Sequence, residues 1–227
     1  YDSDGNLDTS FSGDGKVVTA IGGGNQNRDM LLQDDGKIIL TGMIEMNAWS
    51  AQHDLGMIRY NPNGNLDSTF GNGGYVITDF GTSYEYGTTS VLQDDGKIIL
   101  SGLIDHARAG QGLQDMGLVR YNPDGSLDVS FGNGGKVIMD ITGTSDYSNG
   151  IDLQDDGKIV VTGLTNNGTD NDVVVLRYHS DGSLDQTFGT EGVITIDFGL
   201  GDDNGSMLAI DDNGKIVVVG STSNGSD

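Results

Sequence analysis

Short apolar runs separated by turn residues recur along the whole chain. KIILTG, KIILSG, KIVVTG and KIVVVG each follow a DDG or DNG triplet, and the first three each lie between two further apolar runs. Runs of β-branched and aliphatic residues bounded by Gly, Asp and Asn predict β-strands. Asp or Asn before Gly favours a tight hairpin turn, because these residues tolerate positive φ. No apolar period typical of a helix is sustained over three turns, so the pattern predicts an all-β fold.

The pattern has a fixed period. The glycine of the hairpin turn recurs with separations of 60, 61 and 57 residues, at Gly36, Gly96, Gly157 and Gly214. A second marker, which runs from YDSDGNLDTSF to YHSDGSLDQTF, recurs with separations of 59, 61 and 57 residues. Because both markers drift together, they indicate one supersecondary unit of about 60 residues that is repeated four times.

Each unit is predicted to contain four strands. The first follows a GNGG-type turn, the second precedes the DDG turn, the third is the KIIL-type run, and the fourth is the DLGMIRY-type run. The third and fourth runs are almost continuously apolar, which indicates a sheet covered on both faces. Four-stranded antiparallel blades packed between one another form a β-propeller or an arc of one. A parallel β-helix is the competing repeat fold, but its rungs are shorter and have no use for an internal hairpin.

The repeat alignment also predicts where the units begin and end. We expect four tandem blades at approximately 12–70, 71–131, 132–188 and 189–227. The last blade lacks its fourth strand, because the positions equivalent to 171–177 are missing. We therefore expect an arc of a longer array, or a ring whose closing strand comes from beyond one end. In either case the chain is predicted to be part of a larger parent polypeptide.

The two markers resemble a known repeat. The run RYNPDGSLDVSFGNGGKV, followed by LQDDGKIVVTG, is similar to the delta-60 repeat, an uncharacterised bacterial repeat. The resemblance covers essentially the whole chain. It implies a β-propeller fold and a place in large secreted or surface-attached proteins. It implies no catalytic residues.

The charge of the chain excludes several classes of partner. The formal net charge is -23, from 34 acidic and 11 basic residues. Such a surface repels phosphate backbones and anionic headgroups, so we expect no nucleic-acid partner and no membrane insertion. The chain has no cysteine, which excludes disulfides and thiolate metal sites. An acidic, cysteine-free chain fits an extracellular or cell-surface bacterial protein, although the absence of cysteine is equally allowed in a cytosol.

Two turn motifs raise the question of calcium. DSDGNLD and NPDGSLD present oxygen side chains two residues apart before a glycine, as calcium loops do. The distal bidentate glutamate of such a loop is absent. The alternative is a structural turn in which Asx side chains cap the backbone, and this is what we expect. No cofactor is predicted, with calcium left open at Asp2, Asp4, Asp8, Asp124 and Asp128.

The repeated charged residues indicate scaffold rather than catalysis. The adjacent aspartates of the DDG turns recur in near-identical copies, whereas acid–base catalysis needs one specialised pocket. The arginines of the RY motif recur as well, and we predict that each pairs with a carboxylate of the same or the adjacent blade. The three histidines have no metal-ligand spacing. We therefore expect a protein that is not an enzyme.

The connections between the repeated motifs vary in length and sequence. Those between strands one and two and between strands three and four emerge on the same face of an up-and-down blade. Repeat proteins commonly bind partners through such loops. The aromatic and basic residues of this face suit stacking on sugar rings or anchoring a protein ligand, with ordinary loop packing as the alternative. The candidate binding residues are Trp49, Tyr84, Tyr86, Arg108 and Tyr147, with Arg28 beside them.

These observations predict a non-catalytic β-propeller repeat module of a secreted or cell-surface bacterial protein. It would act as a scaffold or spacer, or as an adhesion-type recognition platform that binds a glycan or a protein. One alternative is a propeller-type glycan-active enzyme with its site outside this segment or at its centre. The other is a calcium-stabilised extracellular stalk.

Overall fold

The structure is a computed structural model that describes residues 1–45, 53–82, 84–106, 113–199 and 201–223. These ranges contain fourteen β-strands. All pairings between them are antiparallel, and they form three four-stranded sheets and one two-stranded sheet. Within the same ranges there is no helix long and apolar enough to cross a bilayer.

The strands of each sheet follow one another in chain order. The first sheet contains β1 (Gly24–Leu32), β2 (Ile38–Glu45), β3 (His53–Tyr60) and β4 (Tyr75–Thr78). The second contains β5 (Glu85–Leu92), β6 (Ile98–His106), β7 (Leu113–Tyr121) and β8 (Lys136–Met139). The third contains β9 (Asp146–Leu153), β10 (Ile159–Asn166), β11 (Asn171–Tyr178) and β12 (Val193–Ile196). The fourth contains β13 (Asp203–Ile210) and β14 (Ile216–Thr222).

The sheets stack on one another in sequence order. The first strand of each following sheet packs on the first three strands of the sheet before it: β5 on β1 to β3, β9 on β5 to β7, and β13 on β9 to β11. One apolar core lies between the first and second sheets, around Phe70 and Leu100. Another lies between the second and third, around Phe131 and Val161. The fold is therefore all-β with antiparallel blades, as predicted. Among the described strands, the first and fourth sheets do not pack on each other as neighbouring sheets do, so closure into a ring is not seen.

The grouping of strands into blades differs from the prediction by one strand. The run after the GNGG turn is the fourth strand of the preceding sheet, because β4 pairs with β3 through Ile58↔Tyr75 and its neighbours. The turn itself sets this pairing, since the Arg59 N–H donates to the Gly74 carbonyl at 2.9 Å. The predicted boundaries at 71, 132 and 189 thus fall inside sheets. Residues 15–21, predicted as a first strand, do not form one.

The repeated turns connect neighbouring sheets at the outer side. The Gly71 N–H donates to the Asp124 carbonyl at 2.7 Å, and the Gly132 N–H donates to the Asp181 carbonyl at 2.8 Å. Each GNGG turn is therefore bonded to the NPDG-type turn of the next unit. This accounts for the near-identity of the turn sequences, because every junction needs the same backbone geometry.

Candidate functional site

The first strand of every sheet contains a β-bulge at the same place. The pairing register shifts by one residue between strands one and two of each sheet. The extra residue of a bulge has no partner on the neighbouring strand. Its side chain therefore does not follow the regular alternation of side chains between the two faces of the sheet. The extra residues are Arg28, Thr88, Asn149 and Ser206.

These four residues line one groove. Its volume is about 620 Å³, and it runs across the first strands of all four sheets. We call it the inner groove. Its lining residues are Arg28, Tyr84, Tyr86, Thr88, Leu103, Gln114, Tyr147, Ser148, Asn149, Asn204 and Ser206.

One end of the inner groove is aromatic. The rings of Tyr84 and Tyr86 are stacked with 6.3 Å between centroids and 6° between planes. The Arg28 guanidinium lies 4.7 Å from the centroid of Tyr86, and the His53 ring contacts Tyr84 edge-on at 4.9 Å. The Tyr86 hydroxyl donates to Gln26 Oε1 at 3.2 Å. These contacts hold the tyrosine rings in place before any ligand binds. The Arg28 guanidinium is in turn attracted to the face of the Tyr86 ring.

The other end of the groove presents amide and hydroxyl groups. Asn149 Nδ2 donates to Asn204 Oδ1 at 2.8 Å and to the Gly205 carbonyl at 3.1 Å. Ser148 Oγ donates to the Gly102 carbonyl at 3.2 Å. Burial raises the pKa of the Tyr147 phenol, so this side chain stays a neutral hydrogen-bonding group at physiological pH. The groove thus combines flat apolar faces with fixed polar groups.

The structure brings most of the predicted binding residues together. Tyr84, Tyr86 and Tyr147 all line the inner groove, and Arg28 joins them. Trp49 and Arg108 lie outside the described residues. The lining at Thr88, Asn149 and Ser206 was not predicted. No local sequence signal marks these positions, because a bulge depends on the register with the neighbouring strand.

Most of the turn carboxylates considered for calcium are hydrogen-bonded within their own turns. Asp2 Oδ1 accepts the N–H groups of Asp4 and Asn6. Asp8 accepts from Ser10, and Asp124 accepts from Ser126. Asp128 accepts from Ser130 and also from Arg120 Nε at 2.8 Å. This is the geometry of the Asx turn given above as the alternative.

In the part of the chain that the structure describes, three other groups of acidic side chains are arranged so that each could hold a metal ion. In each group one oxygen of every side chain lies within 4.8 Å of the others. The groups are Asp54 with Asp79 and Glu85, Asp115 with Asp140 and Asp146, and Asp172 with Asp197 and Asp203. The sequence analysis missed them because their members come from three separate strands or strand ends. The repeat alignment carries the signal, since an acid recurs at each of the three equivalent positions.

Comparison with known families supports the architecture. Residues 33–70, 93–131 and 154–188 match the model of a domain of unknown function (DUF5122) beta-propeller. The three matches fall at equivalent places in successive units, so the units are repeats of a β-propeller type. The delta-60 name remains a prediction. A search of curated proteins finds no match to the chain.

Proposed function

We propose that this chain of β-propeller repeats is a non-catalytic recognition module that binds a neutral saccharide in the inner groove. The observation that carries the proposal is the convergence of three tyrosines and four bulged residues, from four sheets, on one concave surface. A volume of about 620 Å³ is in the range of small-molecule sites.

The chemistry of the groove fits a sugar. The faces of Tyr84 and Tyr86 offer flat apolar surface for the C–H side of a pyranose ring. Asn149, Asn204 and Ser206 offer amide and hydroxyl groups for its hydroxyls. A net charge of -23 opposes anionic ligands, which favours a neutral saccharide over a charged one.

The composition of the groove also supports binding without catalysis. Glycoside hydrolysis requires a pair of carboxyl groups on either side of the scissile bond. The described lining consists of tyrosine, arginine, leucine, amide and hydroxyl side chains, with no carboxylate or imidazole among them. A glycan-active enzyme would need its catalytic carboxyl groups outside this groove.

We further propose that the parent protein is secreted or attached to the cell surface of a bacterium. The acidic, cysteine-free composition and the resemblance to the delta-60 repeat support this location. In that setting the stacked blades serve as scaffold and spacer, and the inner groove provides recognition of an adhesion type.

The test is a glycan array followed by titration calorimetry on the best neutral saccharide. Replacing Tyr84 and Tyr86 together by alanine is expected to weaken binding by at least about tenfold, because both stacking faces are lost. Tyr75→Ala is the matched control, since Tyr75 lies on the outer strand β4, away from the groove. Melting curves check that both variants are folded.

Two results would contradict the proposal. One is unchanged saccharide affinity of the double variant. The other is the absence of any saccharide binding by the folded chain, which would leave only the scaffold role.

A further inference from the structure

The acidic groups lie at the junctions between successive sheets. At the first junction Asp54 is near the start of β3, Asp79 directly follows β4, and Glu85 is the first residue of β5. At the third junction Asp172, Asp197 and Asp203 occupy the equivalent positions of β11, β12 and β13. Each group therefore joins the third strand of one sheet, the end of its outer strand and the first strand of the next sheet.

Two carboxylates of each of these junctions are buried with an unpartnered oxygen. Asp54 is 4% exposed and Glu85 is fully buried, and Asp54 Oδ1 and Glu85 Oε2 have no hydrogen-bond partner. Asp172 is 5% exposed and Asp203 is fully buried, and Oδ1 of each has no partner. A buried carboxylate oxygen without a partner is costly, so the recurrence of such oxygens at two equivalent places points to a ligand site.

Hydrogen bonds to the second carboxylate oxygen of Glu85 and of Asp203 hold these side chains in position. Glu85 Oε1 accepts from the Phe80 N–H at 3.2 Å, from the Thr82 N–H at 3.1 Å and from Thr82 Oγ1 at 2.6 Å. Asp203 Oδ2 accepts from the Phe198 N–H at 2.8 Å. One oxygen of each side chain is thus fixed to the connection between sheets, which leaves the other oriented without a protein donor.

The ion pairs of the described residues lie elsewhere in the repeats, mainly at the RY arginines and the turn lysines. None of the ion pairs among the described residues includes Asp54, Glu85 or Asp203. At each of these junctions two buried carboxyl groups and a third, exposed one are therefore held close together.

We propose that the first and third junctions each bind a hard divalent cation, Ca²⁺. Calcium takes oxygen ligands at about 2.3–2.6 Å, and carboxylates are its preferred ligands in proteins. Two oxygens on opposite sides of an ion at about 2.4 Å are separated by about 4.8 Å. Three carboxylate oxygens within 4.8 Å of one another fit around one such ion.

At the second junction, formed by Asp115, Asp140 and Asp146, one carboxylate has protein donors for both of its oxygens. Asp146 Oδ2 accepts from the Ile141 N–H at 2.8 Å, and Asp146 Oδ1 accepts from Thr165 Oγ1 at 2.5 Å. Both oxygens of this side chain thus have protein donors, and the proposal is restricted to the other two junctions.

A bound ion would link the blades near the inner groove. Glu85 directly follows Tyr84, and Asp54 directly follows His53, whose ring contacts Tyr84. The ion at the first junction would therefore fix the connection that carries Tyr84. Its existence does not depend on a saccharide binding in the groove.

The test is calorimetric titration of chelator-treated protein with CaCl₂, with MgCl₂ in a parallel arm. Calcium is expected to bind and to raise the melting temperature, because an ion that binds only the folded state stabilises it. Glu85→Gln and Asp203→Asn are each expected to bind one calcium ion fewer than the unsubstituted chain. Both substitutions keep the side-chain shape and remove a buried charge, so the variants are expected to fold.

Asp124→Asn is the matched control, since Asp124 lies in an exposed turn and is hydrogen-bonded to Ser126. Its calcium stoichiometry should be unchanged. The proposal is overturned if the folded, chelator-treated chain binds no calcium at millimolar concentration. It is also overturned if Glu85→Gln and Asp203→Asn leave the stoichiometry unchanged, or if Asp124→Asn lowers it.

Discussion

Arg120 shows how one repeated residue connects two blades. Its Nε donates to Asp128 Oδ2 at 2.8 Å, and its guanidinium lies 4.6 Å from the centroid of the Phe131 ring. It also donates to the carbonyl of Ser180 in the next unit. Arg59 makes the equivalent contacts with Asp67, Phe70 and the Pro123 carbonyl. The predicted pairing of the RY arginines with carboxylates is therefore confirmed, and it explains why the motif recurs.

These pairs predict a loss of stability in acid. The Ser130 hydroxyl, the Ser130 N–H and Arg120 lower the pKa of Asp128 from 3.8 to about 2. Because the folded-state pKa is below the unfolded one, the stabilisation is present above about pH 4 and is lost as the pH falls towards 2. Asp128→Asn should therefore flatten the decline of the urea midpoint between pH 4.5 and 2.5, whereas the exposed Asp212→Asn should not. An equally steep decline in Asp128→Asn would contradict this assignment.

At the scale of strands, each bulge is matched by a glycine in the neighbouring strand. A Cβ built on Gly163 of β10 would lie 1.7 Å from the Tyr147 carbonyl oxygen, and one on Gly102 of β6 would lie 2.4 Å from the Tyr86 carbonyl oxygen. The bulge brings the backbone of the first strand over the second, and only glycine leaves room for it. The same bulge places Asn149 in the inner groove, so the glycine and the groove depend on each other.

We expect Gly163→Ala to lower the free energy of unfolding by about 2–3 kcal/mol, because the new methyl group meets backbone that cannot move independently. Gly143→Ala is the control, since it has positive φ of 75° but open space around its Cβ. It should cost only about 1 kcal/mol, from the left-handed backbone conformation. Urea denaturation measures both. Equal effects would show that the close approach in β10 is not a constraint.

At the scale of the whole molecule, burial depends on whether a sheet has neighbours on both faces. Val160 in β10 is fully buried between the second and fourth sheets. Val217, the equivalent residue of β14, is 53% exposed, although the KIVV sequence around it is the same. The apolar run therefore specifies a residue suited to burial, and the stack of sheets decides whether it is buried.

This difference gives a matched pair of substitutions. Val160→Ala should lower the free energy of unfolding by about 2 kcal/mol, because two buried methyl groups are lost and a small cavity remains. Val217→Ala should change it by less than about 0.5 kcal/mol. Urea denaturation of the chain measures both values. A large effect at Val217 would mean that another copy of the chain covers the fourth sheet in solution.

The features that depend on local chemistry follow from the amino-acid sequence alone. Apolar runs separated by DDG turns specified the strands and hairpins, and the recurrence of Gly36 and its copies specified the repeat. The pairing of Arg120 with a nearby carboxylate also followed from the sequence. Each of these depends on residues close together in the chain, or on a signal that repetition makes visible.

How these elements combine is seen in the folded chain and not in its sequence. The tertiary structure assigned β4 to the sheet of β3, placed the bulged Asn149 beside Tyr147, and brought Asp54, Asp79 and Glu85 to one junction. The physical reason is that hydrogen-bond register and packing between sheets depend on residues distant in sequence. Apolar runs such as YVITDF specify a strand, but they do not specify which neighbouring strand supplies its hydrogen bonds.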